Sequence, residues 1–383
     1  MNTLGICRIV AVFMLLLLLT GCWSSHDITN QHYVTTMGID YDGEVYTIYA
    51  QIISFENVAR TEGQGGNTNS PTYVGKGIGH SFNTAADDLY ASSQIRIDWG
   101  HAKAVVVSDQ AMQLLGTQIV ERIYRFPENR YNTWLYVTKE PIEDILTTNS
   151  FYNRTSLFSV LHMPNNSRKQ RATLPPVEMF KYLSAINEPD RISYIPCIGF
   201  DTTHWRANEK QMKLLEINGG YIETHNGTKK IFTIEQMKGY RWIDPRLTRT
   251  MLLVKDEKTS YAVLTFNKSK VKKKPFIQEG NVKFIIKGFY KGSMNEYINE
   301  IDYNKMIELA KEQIKSEIMD IYKLGVKEET DIFNLMHSFR MKNPDKWKVM
   351  TKNGSKFILD EDSIERIDIK IVIPHNGKYK RQK

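Results

Sequence analysis

The first 22 residues constrain this chain more than any other segment. Arg8 precedes an unbroken apolar run over residues 9–19. That run is too short for a membrane-spanning helix, which needs ~20 residues. It leads into four positions that fit a lipobox: Leu19, Thr20, Gly21 and Cys22. Because this pattern is typical of a lipoprotein signal peptide, we expect cleavage after residue 21 and a diacylglycerol on the Cys22 thiol. The alternative is an ordinary signal peptide with a chance cysteine.

The cysteine content limits how the exported chain holds itself together. The chain has three cysteines. Cys7 would leave with the signal and Cys22 would carry lipid, so Cys197 has no partner for an intramolecular disulfide. The mature chain, about 360 residues, is long enough for two or three domains. We therefore expect stability to come from buried apolar cores.

The chain is basic, with a formal net charge of +8, or +7 once Arg8 is removed with the signal. A lipid-anchored basic protein is weakly attracted to anionic lipid, an attraction that salt screens within about 10 Å. Export and the scatter of basic residues argue against nucleic acid as a partner. Two dense basic runs occur, at 268–274 and 378–383. We interpret them as a solvated loop and tail rather than as binding sites.

Alternating apolar and polar residues predict β-hairpins in both halves of the chain. Residues 34–40 and 45–53 are separated by an Asp-Gly turn, which favours a tight hairpin. A second hairpin is predicted over 214–223 and 230–234. Both halves therefore begin with antiparallel strands.

Other segments predict a buried strand and an amphipathic helix. Phe82, Ala85, Ala86 and Leu89 have helical spacing, and Ser81 or Asn83 is placed to cap that helix. The apolar run 104–107, further along the chain, is typical of a central strand. Apolar residues spaced three and four apart over 304–323 predict the best amphipathic helix in the chain. Residues 163–176, rich in Pro, Asn and basic side chains, are predicted to form a loop.

These elements predict an α+β fold with mixed sheets. We expect two to three compact domains, each with a mainly antiparallel or mixed sheet packed against helices. The expected division is a signal peptide (1–21), a lipidated tether (22–31), an N-terminal domain (32–203) and a C-terminal domain (204–378). Subdivision of either domain would give three structural domains.

The sequence contains no recognisable catalytic constellation. The nine histidines are scattered without an H-E-x-x-H pair, and no G-x-S-x-G elbow occurs. The glycine-rich segment 75–79 lacks the spacing of a phosphate-binding loop, so we interpret it as a flexible entry to the next helix. We predict no enzyme activity, no cofactor and no metal site.

Several short motifs occur in a characteristic order. They are Leu19-Thr20-Gly21-Cys22-Trp23, Gly38-Ile39-Asp40, Gln51-Ile52-Ile53, Gly100-His101-Ala102-Lys103, the segment from Arg125 to Arg130, Asp331-Ile332-Phe333 and Asn343-Pro344-Asp345-Lys346-Trp347. Together they resemble the Ger(x)C lipoproteins, the C subunits of spore germinant receptors. The resemblance extends over nearly the whole chain.

The resemblance implies which residues matter. Cys22 would be the lipidated residue, and the other motif residues would be structural or would contact partners. The latter are Gly100, His101, Lys103, Arg125, Arg130, Asp331, Phe333, Pro344 and Trp347. From the residues alone, we expect His101 to be structural, with a pH-sensitive contact as the alternative, and Trp347 to anchor a core.

The resemblance also implies a cellular role. Such subunits lie on the outer face of the inner spore membrane, beside two integral membrane subunits, A and B. The complex senses nutrients and triggers germination, and the C subunit is not known as an enzyme. The rival hypothesis is a solute-binding lipoprotein that delivers a nutrient to a transporter. Such a protein needs a cleft with convergent polar groups.

Overall fold

The computed structural model describes residues 31–53, 72–126, 128–153, 156–171, 174–224 and 227–374. The predicted signal peptide and lipobox, and most of the predicted tether, lie outside these residues. The strands, in chain order, are β1 (Gln31–Tyr41), β2 (Tyr46–Ile53), β3 (Thr72–Gly79), β4 (Arg96–Asp98), β5 (Ala104–Ser108), β6 (Trp134–Thr138), β7 (Tyr194–Asp201), β8 (Arg206–Ala207), β9 (Lys210–Gln211), β10 (Leu214–Glu223), β11 (Lys229–Thr233), β12 (Thr250–Lys255), β13 (Ser260–Gln278), β14 (Asn281–Tyr297) and β15 (Ile364–Val372).

Helices lie between these strands and close the second half of the chain. They are α1 (Phe82–Ser92), α2 (Asp109–Leu115), α3 (Thr117–Tyr124), α4 (Ile142–Thr147), α5 (Pro164–Gln170), α6 (Met179–Ile186), α7 (Tyr240–Ile243), α8 (Tyr303–Lys327), α9 (Leu335–Lys342) and α10 (Pro344–Met350). Two short 3-10 helices cover Phe151–Asn153 and Ser156–Phe158.

The first sheet is mixed and has the strand order β11-β10-β7-β6-β5-β1-β2-β3, with β4 beside β1. Strands β1, β5, β6 and β7 run parallel, whereas the hairpins at either side run antiparallel. The predicted central strand is confirmed, because residues 104–107 are completely buried. The predicted hairpin over 34–53 is confirmed as well, and the Asp42 carboxylate accepts the N–H groups of Glu44 and Val45 at its turn.

The second sheet has the order β12-β13-β14-β15, and its β14–β15 pair is parallel. Helix α8 covers one face of this sheet with the stripe predicted from the sequence, which includes Ile307, Ala310, Ile314, Ile318 and Ile321. The Asp302 side chain caps its first turn. The fold is therefore α+β with mixed sheets packed against helices, as predicted.

The glycine-rich segment 75–79 is not a flexible helix entry, and that interpretation was wrong. It forms the second half of the edge strand β3, and helix α1 packs directly on its glycines. A Cβ on Gly77 would lie 2.1 Å from the Ala85 carbonyl oxygen. The predicted cap is confirmed at Ser81, which forms a capping box with Thr84. The glycines allow helix α1 to lie close against strand β3.

Two other loop predictions were wrong. Residues 164–170 form helix α5, which begins at a proline, and Pro is favoured in a first helical turn. Residues 268–274 lie within strand β13 rather than in a loop. The hairpin β10–β11 pairs with β7, so the first sheet extends past residue 203, where the predicted N-terminal domain ends. The domain division itself stays a prediction.

Candidate functional site

The motif residues expected to be structural or to contact partners lie at two places in the described structure. Cys22 and the lipobox residues Leu19, Thr20 and Gly21 lie outside the described residues. The first group consists of Gly100, His101, Lys103, Arg125 and Arg130, and we call it the Gly100 corner. The second group is the Asp331 corner, consisting of Asp331, Phe333, Pro344 and Trp347.

The Gly100 corner is built on the turn that enters the central strand β5. The Gly100 N–H donates to Asp98 Oδ1 (2.9 Å), an atom that would lie 3.2 Å from a Cβ at this position. His101 Nδ1 lies 3.2 Å from the same oxygen, and the histidine ring meets Tyr33 edge-on. The His101 side chain is 49% exposed. It therefore braces the turn and still faces solvent.

The arginine segment lies against this turn. The rings of Trp99 and Phe126 meet edge-on at 5.9 Å, and the Glu128 carbonyl would lie 3.7 Å from a Cβ on Gly100. Arg125 and Arg130 are both exposed. The fold thus brings the two sequence motifs of this corner together.

Lys103 joins the corner to the neighbouring strands through its backbone. Its N–H donates to the Thr35 carbonyl (2.9 Å) and its carbonyl accepts from the Trp134 N–H (2.8 Å). Its side chain is exposed. Beside the arginine segment, Tyr131 is also 59% exposed. The corner therefore presents two arginines and an aromatic ring to solvent, and these residue types are enriched in protein interfaces.

In the Asp331 corner, Asp331, Phe333 and Trp347 are buried, whereas Pro344 is exposed. Asp331 Oδ2 accepts from the Met336 N–H (2.7 Å), so the carboxyl caps the first turn of α9. Burial raises the pKa of Asp331, while backbone N–H groups and the nearby ammonium of Lys273 act to lower it. Phe333 is 1% exposed and stacks on Tyr322. These residues hold the end of α8 against α9.

Lys273 belongs to the lysine run and completes this corner. It lies on the inner side of β13, where its ammonium donates to the Phe333 carbonyl. Burial lowers the pKa of Lys273, and the carboxylates of Asp331 and Asp244 act to raise it. One member of the run is therefore a structural cation, which the spacing of the lysines does not indicate.

Trp347 anchors the last helix, α10, which begins at Pro344. Its side chain is buried, with 5% of the residue exposed. The Arg340 guanidinium lies 5.3 Å from the centre of its ring. The same guanidinium donates to the Pro189 carbonyl (3.1 Å), which belongs to the segment preceding β7. Trp347 thus orients a residue that connects the two halves of the chain.

A cleft of about 270 Å³ lies between α5, the end of β11 and the start of β12. Arg168 and Asp244 line it with side chains that are 9% and 4% exposed. Arg168 Nη2 lies 3.9 Å from Asp244 Oδ2 and donates to the Arg246 carbonyl (3.2 Å). The sequence reasoning missed this cleft, because α5 was predicted to be a loop.

The described ranges contain neither a candidate metal centre nor a candidate membrane-spanning helix. No group of three His, Cys, Asp or Glu side chains there is arranged to hold a metal ion. No helix there is both long and apolar enough to cross a bilayer.

Two family models match this chain, one in each half. Residues 24–200 match the family model "Spore germination protein N-terminal domain", and residues 225–373 match "Spore germination B3/ GerAC like, C-terminal". The chain is 25% identical over 235 residues to the "Putative spore germination protein YfkR" of Bacillus subtilis (strain 168). That match covers 60% of this chain and 59% of the relative, so it spans less than two thirds of the relative's length.

A solved structure shares the fold. The crystal structure of the GerBC protein superposes with a TM-score of 0.53 over 89% of this chain and 96% of that one, at 15% identity. The two family matches, in order, cover most of the residues from 24 to 373. The chain therefore belongs to the GerAC-like family of spore germination proteins, as its motifs predicted.

Proposed function

We propose that this chain is the lipid-anchored, non-enzymatic C subunit of a nutrient germinant receptor. It acts beside two integral membrane subunits, A and B, on the outer face of the inner spore membrane. One observation carries the proposal: the two germination domains match in order, and the first match begins at residue 24, two residues after the lipobox cysteine.

The lipid would set where the protein acts. Two or more acyl chains, at ~0.8 kcal/mol per buried CH2, hold a protein at a bilayer almost permanently. The anchor raises the local concentration beside membrane partners, so modest interfaces suffice for assembly. The Gly100 corner supplies a candidate interface, since His101, Lys103, Arg125 and Arg130 all reach solvent.

A Cys22→Ala substitution tests the anchor directly. Cys7→Ala, inside the predicted signal, is the matched control because it removes a thiol and keeps the acceptor. We expect Cys22→Ala to lose incorporation of labelled palmitate, leave the membrane fraction and slow nutrient germination. Cys7→Ala should behave as the parent chain. Unchanged labelling and fractionation of Cys22→Ala would refute the lipidated subunit.

The solute-binding alternative is favoured by one observation, the cleft that contains Arg168 and Asp244. Calorimetric titration of the mature chain with amino acids, sugars and nucleosides distinguishes the two functions. The receptor-subunit proposal expects no saturable heat from the isolated chain. Saturable binding that Asp244→Asn abolishes would favour the alternative.

A further inference from the structure

The outer face of the second sheet carries a row of lysines. Residues Lys268, Lys270, Lys272 and Lys274 alternate along β13, and all four are exposed. The residues between them, including Val271 and Lys273, point to the opposite face, which packs against the core. The run that looks like a solvated loop in the sequence is therefore a single line of cations.

The neighbouring strands extend the same charge across the face. The β13–β14 register places Lys283, Lys287 and Lys291 of β14 on this side. The β14–β15 register adds Arg366 and Lys370 of β15. These nine side chains define the basic sheet face. Asp368, beside Lys287 and Arg366, is an acid within it, and the exposed Glu365 adjoins Arg366 where the β14–β15 register shifts.

Most of these cations have no anionic partner among the described residues. Arg366 and Lys287 approach Asp368 at 2.8 and 3.8 Å, and Lys283 donates to the Asp362 carbonyl (2.9 Å). The remaining six, Lys268, Lys270, Lys272, Lys274, Lys291 and Lys370, form no hydrogen bond or ion pair there through their side chains. Their charge is available to an external partner.

The arrangement works against the stability of the sheet. Lys268 lies directly opposite Lys291, and Lys272 directly opposite Lys287. Like charges facing one another across strands are destabilising. A pattern that breaks a local stability rule is expected where function requires it.

Protection of a sheet edge does not explain the face. Lysines do protect exposed edges from pairing with other chains. Strand β12 pairs only with the first part of β13, so the rest of β13 is such an edge among the described residues. Strand β14, however, is paired on both sides, and it carries Lys287 and Lys291 on the same face. The charge belongs to a surface rather than to an edge.

We infer that the basic sheet face docks on the anionic phospholipid headgroups of a bilayer. The face is extended and predominantly basic. Its lysines are interleaved with the half-buried apolar side chains of Phe276, Ile285 and Phe289, a mixture that suits a lipid interface. Each lysine near an anionic surface adds to the attraction, and salt screens it.

This inference rests on the proposed lipid anchor for its setting. Nine residue steps separate Cys22 from the start of β1 at Gln31, which limits the tether to about 30 Å. Docking of the face would then give the anchored protein one orientation on the membrane and direct its other surfaces, including the Gly100 corner, toward its partners.

Vesicle binding by the non-lipidated mature chain tests the docking face without the anchor. The chain from residue 22 carries Cys22→Ser, and the probes are vesicles of phosphatidylcholine with and without phosphatidylglycerol. The test variant is Lys268→Gln, Lys270→Gln, Lys272→Gln and Lys274→Gln together. The matched control removes the same charge from exposed lysines elsewhere: Lys315→Gln, Lys342→Gln, Lys346→Gln and Lys348→Gln.

We expect the parent and the control to bind phosphatidylglycerol vesicles at low salt and to release them at high salt. The test variant should bind at least about tenfold more weakly, with an unchanged circular dichroism spectrum and an equal or higher Tm. Equal binding by test and control variants, or equal binding to vesicles without phosphatidylglycerol, would overturn the inference. If the face binds an acidic protein instead of lipid, the test and control variants should bind the vesicles equally. Neither outcome bears on palmitate labelling of Cys22, so failure here is distinguishable from failure of the anchor.

Discussion

The side chain of Asn334 pairs with the backbone of Ile192 as a neighbouring strand would. Asn334 Oδ1 accepts the Ile192 N–H at 2.6 Å, and Asn334 Nδ2 donates to the Ile192 carbonyl at 3.0 Å. The two residues are 142 positions apart in the chain. Asn334 also holds a left-handed conformation (φ 53°) at the start of α9, which asparagine tolerates better than most residues. Asn334 therefore occupies the N-cap position of α9 and joins two segments that are distant in the sequence.

Asn334→Ala should destabilise the fold by about 1–3 kcal/mol, because it leaves the Ile192 backbone groups without their partner. Urea unfolding measures the change. Asn334→Gly is the control for backbone strain, since glycine adopts positive φ at little cost. We expect it to lose the two hydrogen bonds and to be the more stable of the two variants. Parental stability in both variants would contradict the pairing.

Asp190 should make stability depend on pH in the mildly acidic range. Burial, followed by the nearby Asp331 carboxylate, raises the pKa of Asp190 to about 6. The folded state then binds its proton more tightly than the unfolded state, so stability falls as pH rises from about 4 to about 6. We expect Asp190→Asn to flatten this part of the stability profile.

The substitution is conservative, because asparagine tolerates the positive φ of residue 190 (58°). Asp345→Asn, at an exposed carboxyl in the first turn of α10, is the matched control. Guanidinium unfolding at several pH values provides the readout. A slope between pH 4 and pH 6 that persists in Asp190→Asn would assign the dependence to other groups.

Gly77→Ala should cost roughly 1–3 kcal/mol of stability, the range for overpacking of a tight contact. The new methyl group would meet the backbone of α1, which lies too close for any Cβ. Ile78→Ala is the control, since Ile78 is the next residue along β3 and its side chain is 47% exposed. Thermal unfolding should show a clear loss for Gly77→Ala alone. Equal loss in the two variants would contradict the close packing.

Charge reversal at the Gly100 corner should weaken assembly and leave the fold intact. We expect Lys103→Glu with Arg130→Glu to slow nutrient germination several-fold, because both side chains are exposed and the proposed interface uses their charge. Lys315→Glu with Lys346→Glu makes the same net change on α8 and α10 and should germinate normally. The rate of optical-density loss in spore suspensions measures both. Normal germination by the corner variant would remove it from the interface.

The regular elements were largely predictable because the spacing of their apolar residues follows the pattern of buried side chains. The hairpin over 34–53 and the helix predicted at 304–323 have strong periods of two and of three to four residues. The observed helix is longer, Tyr303–Lys327, because Leu324 and Val326 pack beyond the predicted end. Local pattern thus fixes where an element lies, and tertiary packing adjusts where it ends.

The lysine strand was missed for a physical reason. On the inner face of β13 the run presents Ser269, Val271 and Lys273 rather than a row of apolar residues. Without that row, the alternation of a half-buried strand is invisible in the sequence. Only the pairing partner β14, whose Phe284, Ile286 and Tyr290 are completely buried, reveals which face is inside.

The sequence indicated which motif residues are important but did not indicate which residues they contact. Asp331 and Phe333 stand out in the sequence, yet their contacts with Lys273 and Tyr322 depend on how α9 packs against β13. The pairing of Asn334 with Ile192 spans segments whose separation in sequence carries no signal. Such contacts follow from the fold and not from any local pattern.

Cross-linking in dormant spores tests the central claim most directly. An affinity-tagged form of this chain would be cross-linked in intact spores, solubilised in detergent and purified, and the co-purifying proteins identified by mass spectrometry. The account predicts recovery of both integral membrane subunits, A and B, and loss of both with Cys22→Ala. Recovery of neither from spores that contain the parent chain at its normal level would contradict the receptor-subunit function.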